Sequence, residues 1–163
     1  MTLYRPSRRG LILLALGIAL SPGPAETSEE ARYWVIVHPD NPSITLRRDE
    51  VSRLFLKKIT RWSDGRIAAP VDLVAAAAAR DAFSRDIHRR PASAIKKYWQ
   101  QMVFSGRLAP PPEVATDADV LAMVRGNPAA IGYVSDEVTL QGVKIVDIVT
   151  PPVPSGQAAG PAR

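Results

Sequence analysis

Residues 45–74 constrain the fold more than any other stretch, because they join an amphipathic helix to a buried strand across a short turn. Apolar residues spaced three and four apart lie on one face of the predicted helix. That face consists of Val51, Leu54 and Phe55. The predicted turn contains Trp62, Asp64 and Gly65. The apolar run 71–74 has the length and composition of a strand. A helix and a strand so close together indicate an α/β domain.

The other periodic segments extend this pattern on both sides. Strands are predicted at 33–37, 130–134 and 143–149 from their aromatic and β-branched residues. A further helix contains Phe83 and Ile87, and another begins at Thr116 with Asp119 in capping-box spacing. The order strand, helix, strand, three helices, strand, strand predicts an α/β fold. We expect a mixed sheet flanked by helices, in a single compact or truncated domain.

The most regular helical pattern follows Pro91, which suits the first turn of a helix. Its apolar residues repeat at the spacing i, i+3, i+4, i+7, i+8 and are Ile95, Tyr98, Trp99, Met102 and Val103. Because the aromatic residues are continuous with ordinary aliphatic ones, we predict that this stripe belongs to the core and does not bind a cofactor.

The two ends of the chain differ in character from residues 26–149, which we predict to be the folded domain. Residues 1–25 combine Arg5, Arg8 and Arg9 with an apolar run at 11–20 and small residues before position 26. This pattern predicts an export signal, with an uncleaved anchor as the alternative. The run is short for a membrane span, which takes about 20 apolar residues. Residues 150–163 are rich in Pro, Gly and Ala, and we predict a disordered tail.

Composition makes several function classes improbable. The formal net charge of +5 falls to +2 from residue 26 onward, where 18 basic residues face 16 acidic ones, and the basic residues are dispersed. A nucleic-acid partner is therefore not expected. The chain has no cysteine, and His38 and His88 lack metal-ligand spacing. Since no catalytic triad, paired carboxylates or phosphate-binding loop appears either, we predict no enzyme, no cofactor and no metal.

Three stretches, in order, resemble one protein family. They are V-I-V-H-P-D-N-P at 35–42, E-V-S-R-L-F-L-K-K-I-T-R-W-S-D-G at 50–65 and A-I-G-Y-V at 130–134. The sequence resembles the short phosphate ABC transporter substrate-binding proteins, which have the type 2 periplasmic binding protein fold. The resemblance covers residues 33–148. One departure is Arg47, which stands where the family has a Ser or Thr helix cap, so the cap either moves to Thr45 or is weaker.

The resemblance implies a ligand site at the turn after strand 71–74, where relatives hold an oxyanion at a helix N-terminus. Here five alanines, 75–79, replace the expected hydroxyl side chains and leave only main-chain N–H groups. The predicted ligand-binding residues are Asn41, Asp72, Ala76, Ala77, Ala78, Ala79, Arg80 and Tyr133. Arg80 either contacts an anion or pairs with Asp72, Asp81 or solvent. Asp72 either accepts a proton from the ligand or caps the helix, and we favour the cap.

Two functions follow from this resemblance. The first is an exported, periplasmic solute-binding protein for phosphate or another small oxyanion, with an ABC transporter permease or a periplasmic protein as partner. The second is a ligand-free periplasmic interaction or sensing module on the same fold. The alanine run favours this module, whereas the N-P and I-G-Y segments favour the solute-binding protein, which we place first. In both cases contact with a membrane is expected only through the export signal.

Overall fold

The computed structural model of the protein describes residues 32–150, so the predicted export signal and all of the predicted tail except Thr150 lie outside the described residues. This part of the chain, residues 32–150, contains eight strands: β1 Tyr33–Val37, β2 Thr45–Arg47, β3 Ala69–Pro70, β4 Asp72–Leu73, β5 Glu113–Val114, β6 Ala130–Ser135, β7 Lys144–Ile145 and β8 Asp147–Val149. The same residues contain four helices: α1 Arg48–Phe55, α2 Ala78–Ile87, α3 Ala92–Phe104 and α4 Asp117–Arg125. The predicted helices are all present, whereas β2 and β5 were not predicted.

The central sheet has the strand order β3-β6-β1-β7 and is mixed, as predicted. Strand β1 is antiparallel to both β6 and β7, with Tyr33 opposite Ser135 and Val37 opposite Ile131. Strand β3 is parallel to β6. Two small parallel pairs, β2 with β8 and β4 with β5, flank this sheet. The segment 69–74 therefore runs opposite to β1, and its end lies beside the beginning of β1.

Helices cover both faces of the sheet. On one face, Tyr133 stacks on Phe83 of α2 with ring centroids 3.9 Å apart and also contacts Phe55 of α1. On the other face, α4 packs on β6 through Val120 and Val124, both fully buried. The predicted buried face of α1 is confirmed, and Trp62 lies in the core with its indole N–H donating to the Ala129 carbonyl at 2.9 Å.

The two predicted helix starts have different outcomes. Helix α1 begins after Arg47 without a side-chain cap, so the weaker-cap alternative is right. Thr45 does not cap it because this residue belongs to β2. Helix α4 has the complete capping box: the Thr116 side chain accepts from the Asp119 amide, and the Asp119 carboxylate accepts from the Thr116 amide at 3.2 Å. The start of α4 is thus fixed by its own sequence.

Helix α3 departs from its predicted stripe at one end. Ile95 and Trp99 are buried, but Val103 is 56% exposed, although its spacing predicted a core position. The reason is that α3 packs on α2 and on the end of α1, outside the main core cluster. These two helices cover its first turns, and its last turn extends past them. Phe104, the final residue of the helix, is 92% exposed.

Gly132 lets α4 approach β6 closely. A Cβ atom at this position would lie 2.5 Å from Val120 Cγ1 and 3.3 Å from Val124 Cγ2. We expect Gly132→Ala to destabilise the fold by about 1–3 kcal/mol, because α4 would have to move away from the sheet. Urea unfolding measures this change. Gly126→Ala is the matched control, since its added methyl comes no closer than 3.4 Å to any neighbour. Equal stability of the two variants would contradict the prediction.

Within residues 32–150, none of the helices has the length and apolar character needed to cross a membrane.

Candidate functional site

The alanine run forms an exposed turn between β4 and α2. The Ala77 amide donates to the Val74 carbonyl at 3.0 Å, which closes the turn. The Val74 amide donates to the Val114 carbonyl at 3.0 Å, which ties the turn to β5. Helix α2 begins only at Ala78, and Ala75, Ala76 and Ala78 are exposed. The amides at 75, 76, 78 and 79 have no hydrogen-bond acceptor among residues 32–150. These N–H groups lie at the positive end of α2, where those of the three exposed alanines are available to a ligand and Ala79 is buried.

No side chain caps this helix. Ala77 occupies the N-cap position with φ −72° and ψ 130°, and its methyl side chain cannot accept a hydrogen bond from the first-turn amides. Asp72, which we predicted to be the cap, does not cap α2, because its carboxylate is engaged inside the domain. The start of α4, at the same end of the sheet, is satisfied by its capping box, whereas the start of α2 retains unsatisfied donors.

Beneath the turn, Asp72, Arg80 and Tyr133 form a buried trio. The Arg80 guanidinium pairs with Asp72 Oδ1, and both side chains are only 3% exposed. The Tyr133 hydroxyl donates to Asp72 Oδ1 at 2.5 Å, and the Leu73 amide donates to the same oxygen at 3.0 Å. Burial raises the pKa of the Tyr133 hydroxyl well above its usual range, so this group stays protonated and remains a donor.

Of the two roles considered for Arg80, contact with an anion or pairing with a neighbour, the structure shows pairing. Arg80 pairs with Asp72, one of the partners weighed from the sequence, and it does not reach the surface. Its positive charge is balanced by the carboxylate. Arg80 Nε and the Ser84 hydroxyl, one helical turn further along α2, are buried without a hydrogen-bond partner among the described residues. Ser84 was missed from the sequence, although its i, i+4 spacing from Arg80 placed it on the same face.

Asn41 does not join the other predicted site residues. It follows the end of β1, and its backbone carbonyl accepts from Lys144, which pairs with Val37 at that end of the sheet. The alanine turn lies at the opposite end, because the strands leading to the two segments run in opposite directions. Asn41 is 1% exposed, its Oδ1 accepts from the Ser43 amide at 2.9 Å, and its Nδ2 has no partner among the described residues.

An open groove of about 1140 Å³ adjoins the turn and includes Ala78 in its wall. Its other walls come from the start of β1, the exposed side of α2 and the segment 145–148. Within the groove, the Asp86 carboxylate accepts from the Tyr33 hydroxyl at 2.5 Å and pairs with Arg48 at 2.9 Å. No group of three or more potential metal-ligating side chains occurs in residues 32–150.

Several solved structures superpose on most of this chain. An ABC-type phosphate transport receptor from Vibrio cholerae superposes with a TM-score of 0.58 at 20% identity, over 72% of this chain and 46% of that chain. The chain has the fold of a phosphate-binding protein. A putative phosphate ABC transporter substrate-binding protein with bound phosphate, from Clostridium perfringens, matches with a TM-score of 0.57 at 21% identity, over 72% and 45% of the two chains.

A possible phosphate binding protein from Planctomyces limnophilus matches with a TM-score of 0.56 at 14% identity, over 74% of this chain and 42% of that chain. The predicted type 2 periplasmic binding protein fold is thus confirmed, and the chain spans less than half the length of these phosphate-binding proteins. No protein-family model matches the sequence, and no curated protein matches it.

Proposed function

We propose that this protein is an exported, non-catalytic solute-binding protein that holds phosphate or a similar small oxyanion at the start of α2. The observation that carries the proposal is that the main-chain N–H groups of residues 75, 76, 78 and 79 have no acceptor within residues 32–150. Anions bind at such helix starts because the N–H groups point at them and the helix dipole favours negative charge. The fold shared with phosphate receptors supports the same assignment.

In this proposal, Ala76, Ala78 and Ala79 offer their main-chain N–H groups to the ligand, and Ala77, whose amide donates to the Val74 carbonyl, shapes the turn that carries them. Asp72, Arg80 and Tyr133 position the cradle, because they join β4 to α2 directly beneath it. Asn41 has no part in this site, since it lies at the other end of the sheet.

The affinity of such a site is modest. Phosphate loses its hydration on binding and needs several strong hydrogen bonds in return. Here no hydroxyl side chain lies in the turn, and the nearest guanidinium is already neutralised by Asp72. The main-chain donors and the dipole act alone, so we expect binding to be weak and to select for charge more than for the identity of the oxyanion.

The remaining parts of the proposal concern residues outside 32–150 and other proteins. Residues 1–25 direct export to the periplasm. The fold shared with transport receptors supports a transporter permease as the partner, with another periplasmic protein as the alternative.

Ala78→Pro tests the cradle with little harm to the helix. Proline is favoured at the first helical position, where it removes an N–H group that has no partner in the helix. We expect unchanged or slightly higher stability and a loss of affinity for phosphate and sulfate of about tenfold, the value of one hydrogen bond to a charged group. Isothermal titration calorimetry measures the affinity. Ser93→Pro, in the first turn of α3, is the matched control and should bind as the unmodified protein does.

Ala77→Asp supplies the missing cap. The new carboxylate accepts from the amides of the first turn, so we expect about 1 kcal/mol more stability together with loss of anion binding.

If the unmodified protein shows no heat of binding and no thermal shift with phosphate or sulfate, the receptor proposal fails. The ligand-free interaction or sensing module is then the better description. The sealed ion pair of Arg80 is the observation that favours this second function.

A further inference from the structure

The end of α3 presents apolar and basic side chains together on the surface. Val103 is 56% exposed, Phe104 is 92% exposed and Leu108 is 36% exposed. Lys97 precedes Phe104 by seven residues, and Lys96 precedes Val103 by the same number, so each pair lies on one side of the helix, two turns apart. Arg107 adjoins Leu108 and is also exposed. We call these six residues the basic-apolar face of α3.

This exposure belongs to an ordered helix end. The Ser105 amide donates to Gln101 at 3.1 Å, the Gly106 amide to Val103 at 3.0 Å and the Arg107 amide to Met102 at 3.1 Å. Gly106 adopts φ +65°, the left-handed conformation that closes many helices. The backbone therefore holds Phe104 in position, and the apolar side chains project from a fixed support.

The charged residues of α3 and its flanking segments have one sign. Residues 87–112 contain five Lys and Arg residues and no Asp or Glu. Within residues 32–150, Lys96, Lys97 and Arg107 form no ion pair, in contrast to Arg48 and Arg80. A basic surface with apolar side chains at one end complements an anionic lipid bilayer, where the charges meet lipid headgroups and the apolar groups enter the boundary of the acyl chains.

We propose that the basic-apolar face of α3 docks the domain onto an anionic lipid bilayer. A bilayer fits better than a folded acidic partner, because Phe104 stands almost free of the surface. A protein would need a matching pocket for this ring, whereas lipid chains rearrange around it. This docking is distinct from oxyanion binding, since α3 contributes no residue to the alanine turn or to the trio beneath it.

The absence of cysteine from the sequence makes a site-specific test simple. In the full chain, Gln101→Cys allows an environment-sensitive fluorophore to be attached on the exposed side of α3. Thr139→Cys allows the same fluorophore to be attached after β6, as a reference position away from α3. We expect a blue shift at 101 with vesicles that contain phosphatidylglycerol, little shift with phosphatidylcholine alone, and a smaller response at 139. The readout is local to α3, so binding of the apolar stretch 11–20 alone does not reproduce it.

Two sets of variants then separate the apolar and charged contributions. Phe104→Gln should weaken vesicle binding roughly tenfold, because one large ring is withdrawn from the bilayer. The control Ile67→Gln removes another exposed apolar side chain (64% exposed) and should have little effect. Lys96→Gln with Lys97→Gln should also weaken binding about tenfold and reduce its sensitivity to salt. The control is Arg53→Gln with Arg125→Gln, which removes two exposed charges elsewhere.

Three results would overturn the proposal. The first is an equal response to neutral and anionic vesicles, and the second is unchanged binding in both variant sets. The third is a blue shift at 101 with polyglutamate and none with vesicles, which would assign the face to an acidic protein partner. Phosphate titration remains a separate measurement, so failure of docking and failure of the proposed oxyanion site are distinguished.

Discussion

Asp72→Asn should destabilise the domain by about 3–5 kcal/mol, the largest effect that we expect from one conservative substitution. The change keeps the shape of the side chain but leaves the Arg80 guanidinium buried without a counter-charge. It also replaces the charged acceptor of the Tyr133 hydroxyl with a neutral one. Because domains of this size are stable by about 5–15 kcal/mol, a substantial part of that stability would be lost.

Urea unfolding followed by the fluorescence of the buried Trp62 and Trp99 measures this loss. Asp49→Asn is the matched control, since its pair with Arg47 is about half exposed at both partners and contributes little. Adding Arg80→Met to Asp72→Asn removes the unpaired charge and should restore most of the stability. A double variant as unstable as Asp72→Asn alone would show that the ion pair is not the cause.

The second large effect is a loss of stability in mild acid. His88 is mostly buried, its Nδ1 lies 2.9 Å from the Ser52 hydroxyl, and its ring packs edge-on against Phe83. Burial lowers the pKa of His88 to about 4, and the positive charges of Arg80, Lys58 and Arg90 add to this effect. In the unfolded chain the pKa is that of an ordinary histidine, near 6.5.

Since the folded-state pKa is the lower one, the unfolded chain binds the proton first as the pH falls. The stabilising contribution is complete above pH 6.5 and is lost progressively down to about pH 4. The pKa difference corresponds to roughly 3 kcal/mol. The free energy of unfolding, measured by urea titration at several pH values in this window, should show the slope. His88→Gln should flatten it, and His38→Gln should retain it. An equal slope in the His88 variant would contradict the assignment.

The sequence predicted the elements whose signals are local. The helical spacing of Val51, Leu54 and Phe55 and the capping box at Thr116 each need only a few neighbouring residues, and the structure confirms both. Strand β1 was equally readable from its composition. Strands of two or three residues, such as β2 and β5, carry no such local signal, because they form only by pairing with distant segments.

The candidate site was less predictable for the same reason. The run of alanines identified the turn, but a local residue pattern does not show in which direction a strand runs in the sheet. Asn41 and the alanine turn could therefore not be placed at opposite ends of the sheet from the sequence. The sequence also left Arg80 undecided, because its pairing with Asp72 depends on how α2 packs against β4. Val103 followed the helical spacing of a buried residue and is exposed because α3 extends past its support.

The position of β1 has a consequence for the order of folding. This strand is made near the beginning of the described chain, yet both of its sheet neighbours, β6 and β7, come about a hundred residues later. Such distant pairing gives a high contact order, which slows folding. A nascent polypeptide therefore cannot complete this sheet until β7 has left the ribosome.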